Sequence, residues 1–230
     1  MLTFEKAVFA QGAFSISADL TVAPEKVTAV IGPSGAGKST LLHGIAGFVP
    51  QTAGQLLWGG ATIDGRSPDK RPVSMLFQDN NLFPHLTVLQ NVALALTSKL
   101  RPAGETIERV EAMLAHVGLN GLSGRKPAGL SGGQQSRVAL ARALLQDRPV
   151  MLMDEPFSAL GPALKDEMLD LSVSLAAGRT VIMVTHDPSD AIRIAQEVIG
   201  VADGKAWIPM ETSAFMAQPP EPMRDYFNRP

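Results

Sequence analysis

The sequence predicts an α/β protein with a parallel sheet covered on both faces and a helical segment inserted into it. Three observations predict this. Short apolar runs at Val27–Ile31, Val150–Met153, Thr180–Thr185 and Val198–Val201 lack polar alternation, as strands buried on both faces do. Amphipathic segments separate the last three runs, which argues for strand–helix–strand units. Between residues 88 and 146 the pattern is helical, broken only at Pro102–Gly104 and Gly118–Gly129.

Each element has its own signal. Leu2–Phe9 and Phe14–Val22 are rich in β-branched and aromatic residues, and Gln55–Trp58 and Val73–Leu76 are short strands set off by Gly59-Gly60 and Asp64-Gly65. Ser131 is a helix N-cap before an amphipathic run with Val138, Ala141 and Leu145 on one face. Leu164, Met168, Leu171 and Leu175 form another helical stripe. Asp187 caps a helix with Pro188 at its first position and Asp190 in its first turn. The proline-rich stretch Gln218–Pro230 is expected to be irregular and peripheral.

Composition narrows the function. The 230 residues are 45% hydrophobic, enough for a large core. A net charge of -2 without a basic run argues against a nucleic-acid partner. With no cysteine, disulfides and thiolate metal sites are excluded. The opening MLTFEKAVFAQG has no basic segment followed by an apolar run, so no secretory leader is expected. The uncharged stretches Ser39–Ile63 and Asn80–Ser98 are interrupted by glycine, proline and polar residues, so neither is expected to span a membrane.

The strongest motif is GPSGAGKST, comprising Gly32, Pro33, Ser34, Gly35, Ala36, Gly37, Lys38, Ser39 and Thr40, between a strand and an apolar helix. This is a phosphate-binding loop in its required context. Successive N–H groups wrap phosphates, Lys38 reaches the β- and γ-phosphates, and Ser39 offers a hydroxyl to Mg²⁺. The run Val150–Met153 ends in Asp154-Glu155, and a buried parallel strand delivers such residues to the ligand crevice. Given the phosphate loop, Asp154 is expected to hold Mg²⁺ through water and Glu155 to polarise the attacking water. In LSGGQ the helix behind Ser131, Gly132 and Gly133 opens toward an anion, since glycines let a ligand approach bare N–H groups.

The ordered set GPSGAGKST, Gln78 in LFQDNNLF, LSGGQ at 130–134, VMLMDEP, SALGP and His186 in VTHD resembles the ATP-binding-cassette ATPases over nearly the whole chain. The resemblance implies a P-loop NTPase of ABC-ATPase type: a RecA-like parallel-sheet core with an antiparallel β subdomain and an inserted α-helical subdomain. It implies core and β subdomain at 1–77 and 148–210, helical subdomain at 78–147 and a tail at 211–230. By resemblance, Ser131, Gly132, Gly133 and Gln134 contact ATP bound to a second copy, in a head-to-tail homodimer enclosing two nucleotides. Gln78 senses Mg²⁺ and the attacking water, and His186 is the γ-phosphate switch. Phe9 lies where the family stacks an aromatic on adenine, with Phe14 nearby. One departure is Gly161 in SALGP, where the family usually has an aspartate that communicates across the dimer.

The resemblance implies an ATPase subunit of a bacterial importer, peripheral at the cytoplasmic face of the inner membrane. Its partners would be transmembrane permease subunits and, indirectly, a periplasmic solute-binding protein. Phe83, Pro84 and Leu86 are either permease-contact residues or core of the helical lobe. The wording KRPVSMLFQDNNLFPHLTV and VADGKAW is similar to the thiamine-import branch of the family. This implies thiamine or its phosphates as cargo, with polyamine, iron or sugar import, or a soluble non-transport ATPase, as alternatives.

Overall fold

The computed structural model describes residues 1–227. In chain order the elements are β1 (Leu2–Gln11), β2 (Phe14–Val22), β3 (Val27–Ile31), α1 (Lys38–Ala46), β4 (Gln51–Trp58), β5 (Ala61–Thr62) and β6 (Val73–Leu76). Three helices follow, α2 (Val88–Ala93), α3 (Glu105–His116) and α4 (Gly132–Leu145), then β7 (Val150–Asp154), α5 (Pro162–Leu175), β8 (Thr180–Val184) and α6 (Pro188–Ile194). The chain closes with β9 (Glu197–Ala202), β10 (Lys205–Ala206), β11 (Met210–Glu211), α7 (Thr212–Ala217) and α8 (Glu221–Phe227).

The strands join in the order β5-β4-β1-β2-β10-β9-β3-β8-β7-β6, with β11 on β9. Strands β6, β7, β8, β3 and β9 pair in parallel, whereas β2, β1, β4 and β5 pair antiparallel. This is the expected parallel core with an antiparallel extension. Because side chains alternate along a strand, Met151 and Met153 of β7 join α2–α5 in one core while Val150 and Leu152 join α1 and the antiparallel strands in another. Burying a side chain such as Leu152 contributes about 2 kcal/mol. Arg71, itself buried, donates from Nη1 to Gly44 O and Ile45 O, both at 2.8 Å, and so satisfies the open carbonyls at the end of α1. Among the described residues no helix is long and apolar enough to cross a membrane.

Two expectations change. Strand β1 carries a bulge: its register shifts between Phe4 and Ala7, with Lys6 at φ 49°. Buried positions therefore switch from Leu2 and Phe4 to Ala7 and Phe9, and Phe9 turns into the core. The stretch Gln218–Pro230 is not irregular through to its end: Pro222 lies in the first turn of α8, where its fixed φ suits a helix. Met223 of that helix is 0% exposed against Phe215 and Gly200. Residues 228–230 of the expected tail lie outside the described residues.

Candidate active site

Strand β3 delivers the loop Gly32–Gly37 to the start of α1, whose N-cap, Gly37, has φ 106° and ψ 13° and supplies no capping side chain. First-turn N–H groups are thus left for a ligand. Lys38 is buried and donates from Nζ to Gly32 O at 2.9 Å and Pro33 O at 3.0 Å, holding its ammonium across the loop. Burial pulls its pKa below the ordinary lysine value, and the negative charges of Glu155 and Asp154 partly offset this. Ser34 and Gly35 are exposed at the mouth, and Ala36 turns back onto Pro33 through its N–H. A cavity of about 330 Å³ is lined by Gly35, Gly37, Lys38, Ser39, Thr40 and Glu155, with Phe14 at its rim.

Strand β7 brings the carboxylates to the same place. Ser39 Oγ donates to Asp154 Oδ1 at 2.8 Å, joining the two residues expected at a metal ion. His43, one turn after Ser39, places Nε2 3.1 Å from Asp154 Oδ2 without hydrogen-bond alignment. Sequence reasoning missed it, although an i, i+4 partner of Ser39 shares its helix face. Among the described residues no group of three His, Asp or Glu side chains forms a metal cage. The pair Ser39–Asp154 fits Mg²⁺, which takes few protein oxygens and completes its shell with water and phosphate.

Glu155 follows at φ 43°, in the left-handed region that side chains disfavour, a strain of about 1–3 kcal/mol. Its N–H donates to Val184 O at 3.0 Å, tying the turn to β8. From there its Oε2 meets His186 Nδ1 at 2.9 Å. His186 is well exposed after β8, and its carbonyl accepts from Tyr226 Oη of α8 at 2.6 Å. Tyr226 was missed because the proline-rich stretch around it reads as a loop.

Phe9 does not belong to this site. It is 0% exposed, edge-on to Phe4 at 6.4 Å, and its ring fills the space where a side chain on Gly44 would stand. Phe14 is the aromatic beside the loop: it is 36% exposed, and a Cβ on Gly37 would lie 2.8 Å from its ring. Gln78 is exposed on the turn after Phe77, and among the described residues its side chain makes no hydrogen bond. Among the described residues the side-chain partner of Glu155 is His186, and no hydrogen bond joins Gln78 to it. The turn itself is held from α4, where Arg142 Nη2 donates to Asn80 O at 2.8 Å.

Ser131 caps α4 in a reciprocal box: its Oγ accepts from Gln134 N at 3.3 Å, and Gln134 Oε1 accepts from Ser131 N at 3.0 Å. The two glycines differ. A Cβ on Gly133 would lie 2.7 Å from Leu164 Cδ2, so its bareness serves helix packing. Gly132 is exposed, with Leu160 Cδ2 at 3.7 Å from such a Cβ. Among the described residues no hydrogen bond or ion pair joins 131–134 to 32–40 of the same chain. Of the apolar residues after Gln78, Leu86 is core at 5% exposure, while Phe83 and Pro84 are exposed.

A family model described as ABC transporter matches residues 17–158. Thiamine import ATP-binding protein ThiQ of Ruegeria sp. (strain TM1040) is 53% identical over 230 residues, covering 98% of this chain and 99% of that relative. ThiQ of Cereibacter sphaeroides is 52% identical over 228 residues, with the same two coverages. A solved dimeric, post-hydrolysis state of the ATP-binding cassette MJ0796 bound to ADP and Pi matches with a TM-score of 0.77 at 29% identity, over 92% of this chain and 99% of that one.

Proposed function

Because the chain belongs to the ABC transporter family, we propose that it is the ATP-hydrolysing subunit of a bacterial importer that takes up thiamine or its phosphates. The observation that carries the ATPase reading is the Glu155–His186 pair, 2.9 Å apart, beside the cavity that Lys38 and Ser39 line. Lys38 meets the β- and γ-phosphates while the N–H groups of 35–40 wrap them. Ser39 and Asp154 would hold Mg²⁺, which when bound neutralises charge on the β- and γ-phosphate oxygens. Glu155 accepts a proton from the attacking water, and His186 orients that carboxylate through Nδ1 while its ring reaches the γ-phosphate. Phe14, rather than Phe9, offers its face to adenine. Gln78 reaches the water only after the helical segment 78–147 moves toward the core.

Ser131, Gly132, Gly133 and Gln134 act on the nucleotide of a second copy. That no hydrogen bond or ion pair joins this helix end to the chain's own loop among the described residues supports that reading, as does the dimeric state of the similar MJ0796 cassette. Phe83 and Pro84, with exposed Phe48 beside Phe77, offer an apolar surface to permease subunits. Through such a permease the chain works at the cytoplasmic face of the inner membrane, coupled indirectly to a periplasmic solute-binding protein. Thiamine is supported by the names of the two relatives, because none of the site residues meets the cargo. The test is uptake of labelled thiamine by cells lacking this chain, complemented with wild type or Lys38→Ala. Uptake restored only by wild type supports both cargo and ATP dependence; uptake unaffected by the deletion removes thiamine as the sole cargo.

A further inference from the structure

We propose that Tyr226 is a positioning residue for hydrolysis, and that helix α8 is a strap setting the main chain of the switch loop through the Tyr226 Oη–His186 O hydrogen bond at 2.6 Å. This rests on the reading of His186 given above. The strap has an anchor and a tip. Met223 anchors it, fully buried with Phe215, Ala29 and Ile31, and a Cβ on Gly200 of β9 would lie 3.1 Å from Met223 Cγ. Tyr226 is three residues further on, so it projects from the same side of the helix one turn later. There it lines, with Pro222, a cavity of about 690 Å³ whose other walls include Phe14, Pro33, Ser34 and Gly35.

The chemistry suits a durable donor. Burial and the negative charges of Asp187 and Glu155 hold the Tyr226 phenol above its ordinary pKa, so it keeps its proton throughout the working range. On its other side the switch loop is held by Thr185 Oγ1 on Asp190 at 2.5 Å and Lys165 Nζ on Asp187 at 2.9 Å. The exposed His186 ring has only Glu155 as a side-chain partner among the described residues. Its aim is therefore set through the main chain, and Tyr226 grips that main chain at the residue itself.

The experiment measures ATPase kinetics and melting temperature of the purified full chain as Tyr226→Phe, His186→Ala and the double variant. Tyr226→Phe keeps the ring and removes only the hydroxyl. It is expected to lower kcat by about 3- to 10-fold, the worth of one hydrogen bond, with KM for ATP within about twofold of wild type. On the His186→Ala background it is expected to change nothing further, since the two residues act as one unit. Wild-type kcat in Tyr226→Phe beside a strongly impaired His186→Ala would overturn the strap while leaving the switch reading standing. A fall in melting temperature with kcat unchanged would also overturn it, leaving Tyr226 only a structural role. Full activity in His186→Ala would sink the switch reading itself, and the strap with it.

Discussion

Gly133 and Leu164 meet where α4 crosses α5, so closely that a Cβ on the glycine would stand 2.7 Å from Leu164 Cδ2. Its neighbour Gly132 faces outward. The pair therefore divides two tasks, and substitution separates them. Gly133→Val overpacks the contact and is expected to cost about 1–3 kcal/mol. Gly132→Val is expected to stay within about 0.5 kcal/mol of wild type yet to lose most ATPase activity, because its side chain would stand where the second copy's γ-phosphate is proposed to approach. Thermal melts beside ATPase assays check this; equal destabilisation by the two changes would refute the division.

Phe9 and Phe14 are exchanged in the same way. Phe9→Ala empties a fully buried site and is expected to cost about 3–5 kcal/mol of stability. Phe14→Ala leaves the fold intact and weakens ATP binding by about 1–3 kcal/mol through lost stacking. Nucleotide titration of both variants, with urea unfolding alongside, decides it. ATP affinity unchanged in Phe14→Ala would remove that residue from the adenine site.

These two cases show what the sequence could convey. The parallel core was legible because β3, β7 and β8 are short, apolar and followed by motif residues whose spacing carries the chemistry. Lys38, Ser39, Asp154 and Glu155 converge because strand ends in such a sheet share one edge. Phe9 was misplaced because a bulge leaves no reliable mark on an alternation pattern, and Lys6 at φ 49° carries no glycine to announce it. The contacts of Tyr226 and His43 depend on tertiary juxtaposition: 40 residues separate Tyr226 from His186, and 111 separate His43 from Asp154. Helix α8 was hidden by prolines that start it rather than break it.

The start of α6 gives a pH signature. Asp187 accepts from Ser189 N at 2.9 Å and Ser189 Oγ at 2.6 Å, and from Lys165 Nζ at 2.9 Å. The Ser189 hydroxyl first, and then Lys165, lower its pKa from 3.8 to about 2. A carboxyl lowered in the folded state contributes stability above its unfolded pKa, and that contribution is lost as pH falls through the folded one. The window is therefore pH 4 down to about 2. Because the side chain is 38% exposed, screening reduces the contribution to about 1 kcal/mol. Asp187→Asn keeps the cap and removes the charge. Its deficit in urea unfolding is expected to hold near pH 5 and to shrink steadily by about pH 3; a deficit independent of pH would contradict the assignment.

Gly161, where the family usually has aspartate, is the N-cap of α5, with φ −64°, ψ 155° and no capping side chain. That backbone is open to any residue, and a Cβ there would meet nothing within 4 Å. Gly161→Asp is therefore expected to fit without strain. Its carboxylate would accept first-turn N–H groups at the positive end of the helix, a gain of about 0.5–1 kcal/mol and about 2–3 °C in Tm. The consequence for function follows from position. Leu160, the preceding residue, lies against Gly132, so stiffening this turn steadies the helix end proposed to face the second copy's nucleotide. Lys38 and the phosphate loop lie on other elements, so KM for ATP is expected to stay unchanged while the Hill coefficient of hydrolysis shifts. ATPase titrations of the two variants in the assembled transporter measure both quantities, and identical Hill behaviour would show that the turn after Leu160 carries no signal between the two sites.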